Sequence, residues 1–308
     1  VIVYLQGELV PAEQARVSVF DRGFIFGDGI YEGLRSVVVN GRRRVVGLRR
    51  HAERLRAGLA AARIEWDCAQ LAGVCDRLLD ANGLDDAFIY LQITRGTPRL
   101  DGQDPVRSRL PPAGLKPGVF AYCTPVPALE HFTLPPRKAA GVQEDLRWRM
   151  GRVKSISLLG NVLAAMGAGD HGADEAILVR DGLVSEGTYT NVALVLPRAG
   201  RAGGGAPGDF EIVTPSPESV PFLDGITRQI ILAESPEIVQ RPVRAEELLK
   251  AQEIMLWGTT TMVSSVVSLD GRSVGNGSPG PVARALLDRL VACIRAGRDD
   301  TPPTTPHA

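Results

Sequence analysis

Short runs of alternating apolar residues open the chain, and longer stretches of helical spacing follow them. Residues 1–5 and 8–10 flank Gln6-Gly7 and predict a first hairpin. Tyr31 to Val39 predicts a strand on which Tyr31, Gly33 and Arg35 share one face. From Gly47 to Ala62, Leu48, His51, Leu55, Leu59 and Ala62 line one side of a helix, with arginines mostly opposite. A second helix spans Ala69 to Asn82 and stops at Gly83, a residue suited to a left-handed C-cap. Ala87 to Thr94 predicts a strand, Asp101 to Gly118 a Pro-, Gly- and Arg-rich loop, and Val119 to Pro125 a strand leaving the first domain.

In the second half, Leu158, Leu159, Val162, Leu163 and Met166 recur at helical spacing just after Lys154. Two apolar runs, Glu175 to Val179 and Thr190 to Leu196, surround the turn signal Asp181-Gly182, and Glu186 opens the second arm. Pro197 to Gly208 reads as a flexible extension without core-forming residues. Glu211 to Thr214 and Glu253 to Trp257 predict strands. Helices are expected from Leu223-Asp224-Gly225 toward Ala233 and over Pro279 to Ala296. The expected organisation is a small N-terminal α/β domain (1–125), a linker (126–136), a larger domain (137–296) and a disordered polar tail (297–308).

At 308 residues the chain has room for two domains, and 44% hydrophobic with 23% charged residues is a globular balance. Its formal net charge of zero argues against nucleic acid or an anionic membrane as the main partner. No apolar run reaches membrane-spanning length, and no leader is expected ahead of Val1. The four cysteines and four histidines show no metal-ligand spacing, so no metal is expected. Reduced thiols and a cytoplasmic location are the expectation.

Candidate chemistry changes the picture from a globular protein to an enzyme. Lys154 is one of only four lysines in a chain whose basic charge is otherwise arginine. Arginine keeps its proton, whereas a lysine amine against apolar residues can lose it and attack a carbonyl. The apolar neighbours Val153 and Ile156 to Leu159, and a helix starting at Lys154, both favour the free amine. Gly225-Ile226-Thr227 at a helix start and Gly258-Thr259-Thr260-Thr261 after a strand each offer phosphate donors. Gly27, Gly29 and Gly33 lack dinucleotide spacing and instead suit a close-packed turn. Taken singly, each feature is also what a solvated lysine, a strand edge or a helix cap looks like. Together, a lysine, a carboxylate and two phosphate-type sites fit one cofactor, pyridoxal 5′-phosphate.

The chain resembles the class IV, fold type IV pyridoxal-phosphate aminotransferases, from about Val3 to Arg295. The motifs that carry this are DRGFIFGDGIYEG, HAERL, IYLQITRG, VKSISLLGN, DEAILVRDGLVSEGTYTNV, GITR and GTTT, in family order. The resemblance implies an α+β or α/β fold like that of D-amino-acid aminotransferases, a small α/β domain plus a larger barrel-like domain. It implies that Lys154 forms the internal aldimine and shuttles the Cα proton, and that Glu186 pairs with the pyridinium nitrogen. Arg54, Ile226, Thr227 and Thr259 would hold the phosphate, and Leu223 would pack on the ring. The backbone near Thr260 would help hold the substrate. A homodimer acting on an amino acid and a 2-oxo acid is implied as well.

Subfamily signals conflict. IYLQITRGTPR and KSISLLG look like D-amino-acid transaminases, and Tyr90 stands where branched-chain enzymes usually carry an arginine. YEGLR, from Tyr31 to Arg35, looks like the branched-chain pattern. The D-specific Arg-x-His trap reads Arg99-Leu100-Asp101, without its histidine. The expectation is a D-amino-acid transaminase with Tyr31 in the substrate site and Arg35 or Arg99 as the carboxylate clamp. The alternatives are a branched-chain L-amino-acid transaminase and an aminodeoxychorismate lyase, whose bulky substrate the loop from Gly102 to Arg109 would cover.

Overall fold

A computed structural model describes residues 1–99, 107–198 and 210–301. The loop expected over Asp101 to Gly118 is described from 107, and 100–106 lie outside the described residues. Most of the expected flexible extension, from 199 to its end at Gly208, and the tail from 302 also lie outside them. The chain folds as two compact units, Val1–Ala128 with Val153–Leu158, and Leu129–Arg152 with the chain from Leu159 onward. The segment around Lys154, expected in the larger domain, thus belongs to the first unit. The reason is backbone pairing: Tyr31 N donates to Lys154 O at 3.0 Å, and Ile156 N to Gly29 O at 3.1 Å.

The first unit runs β1 (Ile2–Leu5), β2 (Glu8–Pro11), α1 (Arg22–Phe26), β3 (Gly29–Val39), β4 (Arg42–Val45), α2 (Leu48–Ala62), α3 (Gln70–Asn82), β5 (Ala87–Thr94) and β6 (Gly118–Pro125). Its sheet has the order β2-β1-β6-β5-β3-β4 and pairs antiparallel throughout, so this unit is α+β. Alternation along the strands sorts its two faces. Ile30 and Leu34 of β3, Ile89, Leu91 and Ile93 of β5, and Ala121 and Cys123 of β6 are buried in one core with Leu55 and Leu59 of α2 and Leu71 and Leu78 of α3. Burying each such leucine contributes about 1.5–3 kcal/mol. The other face carries Tyr31, Tyr90, Phe120 and Tyr122. The helix α1 was not expected, because five residues carry no readable stripe. It forms because Asp21 caps it, accepting from Gly23 N at 2.8 Å, and Gly27 ends it at φ 65°.

The second unit contains β7 (Arg137–Glu144), α4 (Leu159–Asp170), β8 (Glu175–Arg180), β9 (Leu183–Gly187), β10 (Asn191–Pro197), β11 (Phe210–Pro215), α5 (Ile226–Glu234), β12 (Val239–Arg241), β13 (Glu253–Gly258), β14 (Met262–Leu269), β15 (Arg272–Ser273) and α6 (Pro281–Arg295). Its sheet runs β12-β11-β10-β13-β14-β7-β8-β9, with β15 on β14. Three pairings are parallel (β7–β8, β7–β14 and β11–β12) and the sheet curls into a half-barrel, as expected of the larger domain. Asp181 and Gly182, at φ 51° and 75°, make the expected tight turn. The arm that follows the turn is β9, however, with Val179 opposite Val184. The run expected as that arm is β10, a separate strand between β11 and β13. Glu186 therefore sits near the end of β9 rather than at the start of a long arm.

The expected tail is ordered at its beginning. In residues 297–301, Asp299 is fully buried and Arg298 Nη2 meets Glu234 Oε2 at 2.6 Å. Among the described residues no helix is long and apolar enough to cross a membrane, and no cluster of side chains is built to hold a metal ion.

Candidate functional site

In the first unit the site is organised around Lys154. The helix expected to start at this lysine begins only at Leu159. Lys154 lies instead in extended chain laid along the head of β3, next to the bridge between Ile30 and Ser155. Two glycines make this approach possible. A Cβ on Gly27 would lie 2.5 Å from Ser157 Oγ, and one on Gly29 would lie 2.8 Å from Ile156 Cδ1. Gly27 also holds φ 65°, which side chains disfavour. The lysine Nζ rests 4.1 Å from the centroid of the Tyr31 ring. The face of an aromatic ring attracts such a cation and so orients it.

Arg54, the expected phosphate ligand, is held by a carboxylate that pattern reading did not single out. Arg54 Nε donates to Glu32 Oε1 at 2.9 Å and Nη2 donates to Oε2 at 2.6 Å. His51 Nδ1 lies 2.7 Å from the same Oε2. Glu32 is completely buried. Burial alone would raise its pKa, but Arg54 and His51 outweigh it and bring the pKa down to about 2. Burial also lowers the His51 pKa, against the pull of Glu32. The ring is then neutral at pH 7, and Nδ1 must carry the hydrogen it gives to the carboxylate. The signal was present in HAERL and YEGLR. Only the packing of α2 on β3 shows that the two motifs are one cluster.

The two arginines expected to compete for the substrate carboxylate differ sharply. Arg35 is 1% exposed and donates through Nη2 to the carbonyl of Pro127. Burial lowers its pKa while the Asp86 carboxylate opposes that shift. On the β3 face that Tyr31 and Arg35 share, Tyr31 is half-buried and Arg35 is buried. Arg99 is exposed at the start of its loop. Next to Tyr31 the sheet presents an aromatic wall. Tyr31 stacks on Tyr90 with centroids 5.5 Å apart, and Tyr90 on Tyr122 at 5.3 Å. Tyr90 OH donates to Gln92 Oε1 at 2.9 Å.

In the second unit Glu186 is buried at the end of β9. Its Oε1 accepts from Arg147 Nη1 at 2.8 Å, and its Oε2 from the backbone N–H of Leu223 at 3.3 Å. Leu223 begins the turn into α5. Asn191 fixes that turn from both sides, donating to Leu223 O at 2.8 Å and accepting from Gly225 N at 3.1 Å. Gly225 is the N-cap and has no side chain to offer, so the first-turn N–H groups of Ile226 and Thr227 face off the end of the helix.

Buried hydroxyls collect near the same place. Thr190 Oγ1 and Thr261 Oγ1 have no hydrogen-bond partner among the described residues. Both side chains flank Gly258, where a Cβ would lie 2.9 Å from Thr261 Oγ1 and 3.3 Å from Thr190 Cγ2. Thr259 is half-buried and Thr260 exposed beside them. Helix donors without a side-chain cap, and the partnerless hydroxyls of Thr190 and Thr261, are groups that a phosphate monoester satisfies. A carboxylate held by an arginine is what a ring nitrogen needs. The donor set of this unit thus fits pyridoxal phosphate.

Comparison with known proteins agrees with this chemistry. A family model described as amino-transferase class IV matches residues 29–269. The D-alanine aminotransferase of Bacillus licheniformis is 33% identical over 299 residues, covering 94% of this chain and 95% of the relative. That of Staphylococcus haemolyticus is 32% identical over 296 residues, covering 93% and 95%. Among solved structures, the branched-chain amino acid aminotransferase of Escherichia coli is similar in fold. Its TM-score is 0.82 at 24% identity, with 99% of this chain and 97% of that chain covered.

Proposed function

We propose that this chain, which belongs to the class IV aminotransferases and so depends on pyridoxal 5′-phosphate, moves an amino group between a D-amino acid and a 2-oxo acid. The observation that carries the reading is Lys154, fixed by its backbone to β3 and set over Tyr31. When bound, the cofactor supplies an aldehyde for an amine and a ring that draws electrons from the substrate Cα. Lys154 would hold the cofactor through Nζ and would also be the base that carries the substrate Cα proton. Arg54, the N–H groups of Ile226 and Thr227, and the hydroxyls of Thr227 and Thr259 hold the phosphate. Glu186 binds the ring nitrogen, Leu223 packs on the ring, and the backbone at Thr260 helps hold the substrate.

Full-length likeness to enzymes named D-alanine aminotransferases supports the D-preference. We assign the substrate carboxylate to Arg99, because the Arg35 guanidinium is buried against Pro127. The wall of Tyr31, Tyr90 and Tyr122 favours uncharged side chains over acidic ones, since the three rings are themselves uncharged and largely apolar. Arg99→Ala should raise the Michaelis constant for D-alanine by about 10–100-fold, the worth of one charged hydrogen bond. A chiral primary amine without a carboxylate should be unaffected. Single-turnover assays with D-alanine, L-leucine and such an amine test this. Equal constants in wild type and Arg99→Ala place the clamp elsewhere, and faster turnover of L-leucine replaces the D-reading with a branched-chain one.

The same proposal includes a homodimer in the cytoplasm, where the four buried cysteines remain thiols. Its support is one face of α4. Leu159, Val162, Leu163 and Met166 follow helical spacing and are at least half exposed, with Leu146, Trp148 and Met150 exposed in the loop before. Such a stripe is unusual on a monomer and suits a second copy of the chain. Leu163→Glu should weaken the dimer by roughly 10²–10⁴-fold, because symmetry applies the loss of a buried leucine twice. Light scattering across a dilution series reads this directly. A wild type that is monomeric at micromolar concentration, or a variant that dimerises as well, removes α4 from the interface.

A further inference from the structure

Two carboxylates and two arginines share one buried network behind Glu186. Asp145 sits at its base with a fully buried side chain. Its Oδ1 accepts from Arg147 Nε at 2.8 Å and lies 3.0 Å from Arg180 Nη2. Its Oδ2 accepts from Arg147 Nη2 at 2.9 Å and from Ser185 Oγ at 3.1 Å. Asp145 thus takes two of the three nitrogens of Arg147, and the third, Nη1, reaches Glu186 Oε1 at 2.8 Å. Arg180 also donates to the carbonyl of Arg147 at 2.7 Å, which fixes the backbone. The guanidinium can point only one way. Gly160 leaves room for it, since a Cβ there would lie 2.9 Å from Arg147 Cγ.

We propose that Arg147 is a positioning residue for transamination, which keeps Glu186 ionised and aimed so that the proton of the cofactor's ring nitrogen stays on the ring. The inference rests on the assignment of Glu186 to that nitrogen. A carboxylate and a protonated ring brought together away from water can neutralise each other. The N–H bond breaks, an O–H bond forms on Glu186, and two uncharged groups remain. A neutral ring is a poorer electron sink. A guanidinium on the other carboxylate oxygen opposes this transfer, because it stabilises only the charged form of Glu186. Arginine suits the task because it cannot give up its own proton. Burial works against the charge on Arg147, but Asp145 and Glu186 together raise its pKa. Asp145 is therefore the counter-ion that lets a permanent cation stand here.

The test reads the ring nitrogen itself. Holoenzyme loaded with ¹⁵N-ring-labelled pyridoxal phosphate is compared by nitrogen NMR in wild type, Arg147→Gln, Arg147→Lys and Glu186→Gln. Wild type should show a protonated ring, and Glu186→Gln a shift toward neutral pyridine. Arg147→Gln, which keeps a hydrogen bond but loses the charge, should shift the same way, and its first half-reaction should slow by about 10-fold or more. Arg147→Lys, which keeps the charge, should stay near wild type. If Arg147→Gln matches wild type while Glu186→Gln shifts, the inference is overturned and the Glu186 assignment stands. If Glu186→Gln does not shift, that assignment itself fails. Equal shifts in the Gln and Lys variants would mean that shape rather than charge matters, which also overturns the inference. Should Arg147→Gln not fold, Arg147→His allows the comparison within one sample. The ring should be protonated at acidic pH and lose its proton as the imidazole does, and a ring signal that ignores the imidazole counts against the proposal.

Discussion

Lys154→Ala yields a folded protein that no longer transaminates. The fold should tolerate the change because what ties this segment to β3 is backbone, Tyr31 N to Lys154 O and Ile156 N to Gly29 O. The side chain adds the contact of Nζ over the Tyr31 ring, worth about 0.5–2 kcal/mol. Activity is a different matter. A positioned base contributes roughly 10²–10⁴-fold, and the covalent hold on the cofactor disappears as well. The expected readings are a thermal midpoint close to wild type, no amino transfer, and no lysine-linked cofactor. Borohydride reduction of wild type and peptide mapping should place the label on Lys154. A label on Lys116, Lys138 or Lys250 would defeat the assignment.

Glu32→Gln should be the most destabilising single change among the site residues. The wild-type carboxylate is fully buried and accepts two hydrogen bonds from Arg54 and pairs with His51. Its removal leaves a guanidinium short of its counter-charge in the interior, and such losses cost about 3–5 kcal/mol. The pH dependence gives an independent reading. The folded pKa is lowered from 4.5 to about 2. The ionised carboxylate therefore stabilises the fold fully above about pH 4.5, and that contribution is lost as pH falls from there toward 2. Its size is about 3 kcal/mol. Denaturant titrations between pH 2 and 7 should show wild type losing this increment and Glu32→Gln lacking it. A variant within about 1 kcal/mol of wild type at pH 7 would show that the cluster carries no such weight.

Much of the frame was legible because it is written at short range. Period two along Ala87–Thr94, the stripe of Leu55 and Leu59, Gly83 after a helix and Asp181-Gly182 between apolar runs are each decided by residues a few positions apart. Elements without such a signature escaped. β7 reads RKAAGVQE and β14 reads MVSSVVSL, and neither alternates cleanly. They become strands because neighbours on both sides supply hydrogen bonds. The pairing partner of the Asp181-Gly182 turn was misassigned for a related reason, since both β9 and β10 are apolar enough to serve.

The sequence by itself determined that a lysine scarce among the basic residues, a strand carboxylate and two phosphate-type donor sets occur in one chain, and that glycines crowd the approach to β3. These are statements about residue type and local geometry, which composition and spacing carry. Only the tertiary structure decided what each charged group faces. It buried Arg35 under Pro127 and left Arg99 in the open. It brought Glu32 to Arg54 from another element, and Arg147 to Glu186 across 39 positions of chain. Desolvation makes such pairings obligatory, because a buried charge without a partner is too costly to keep. Yet the energy depends on distances of a few ångströms between segments far apart in sequence. Spacing along the chain does not contain those distances, and they exist only once the strands have taken their register.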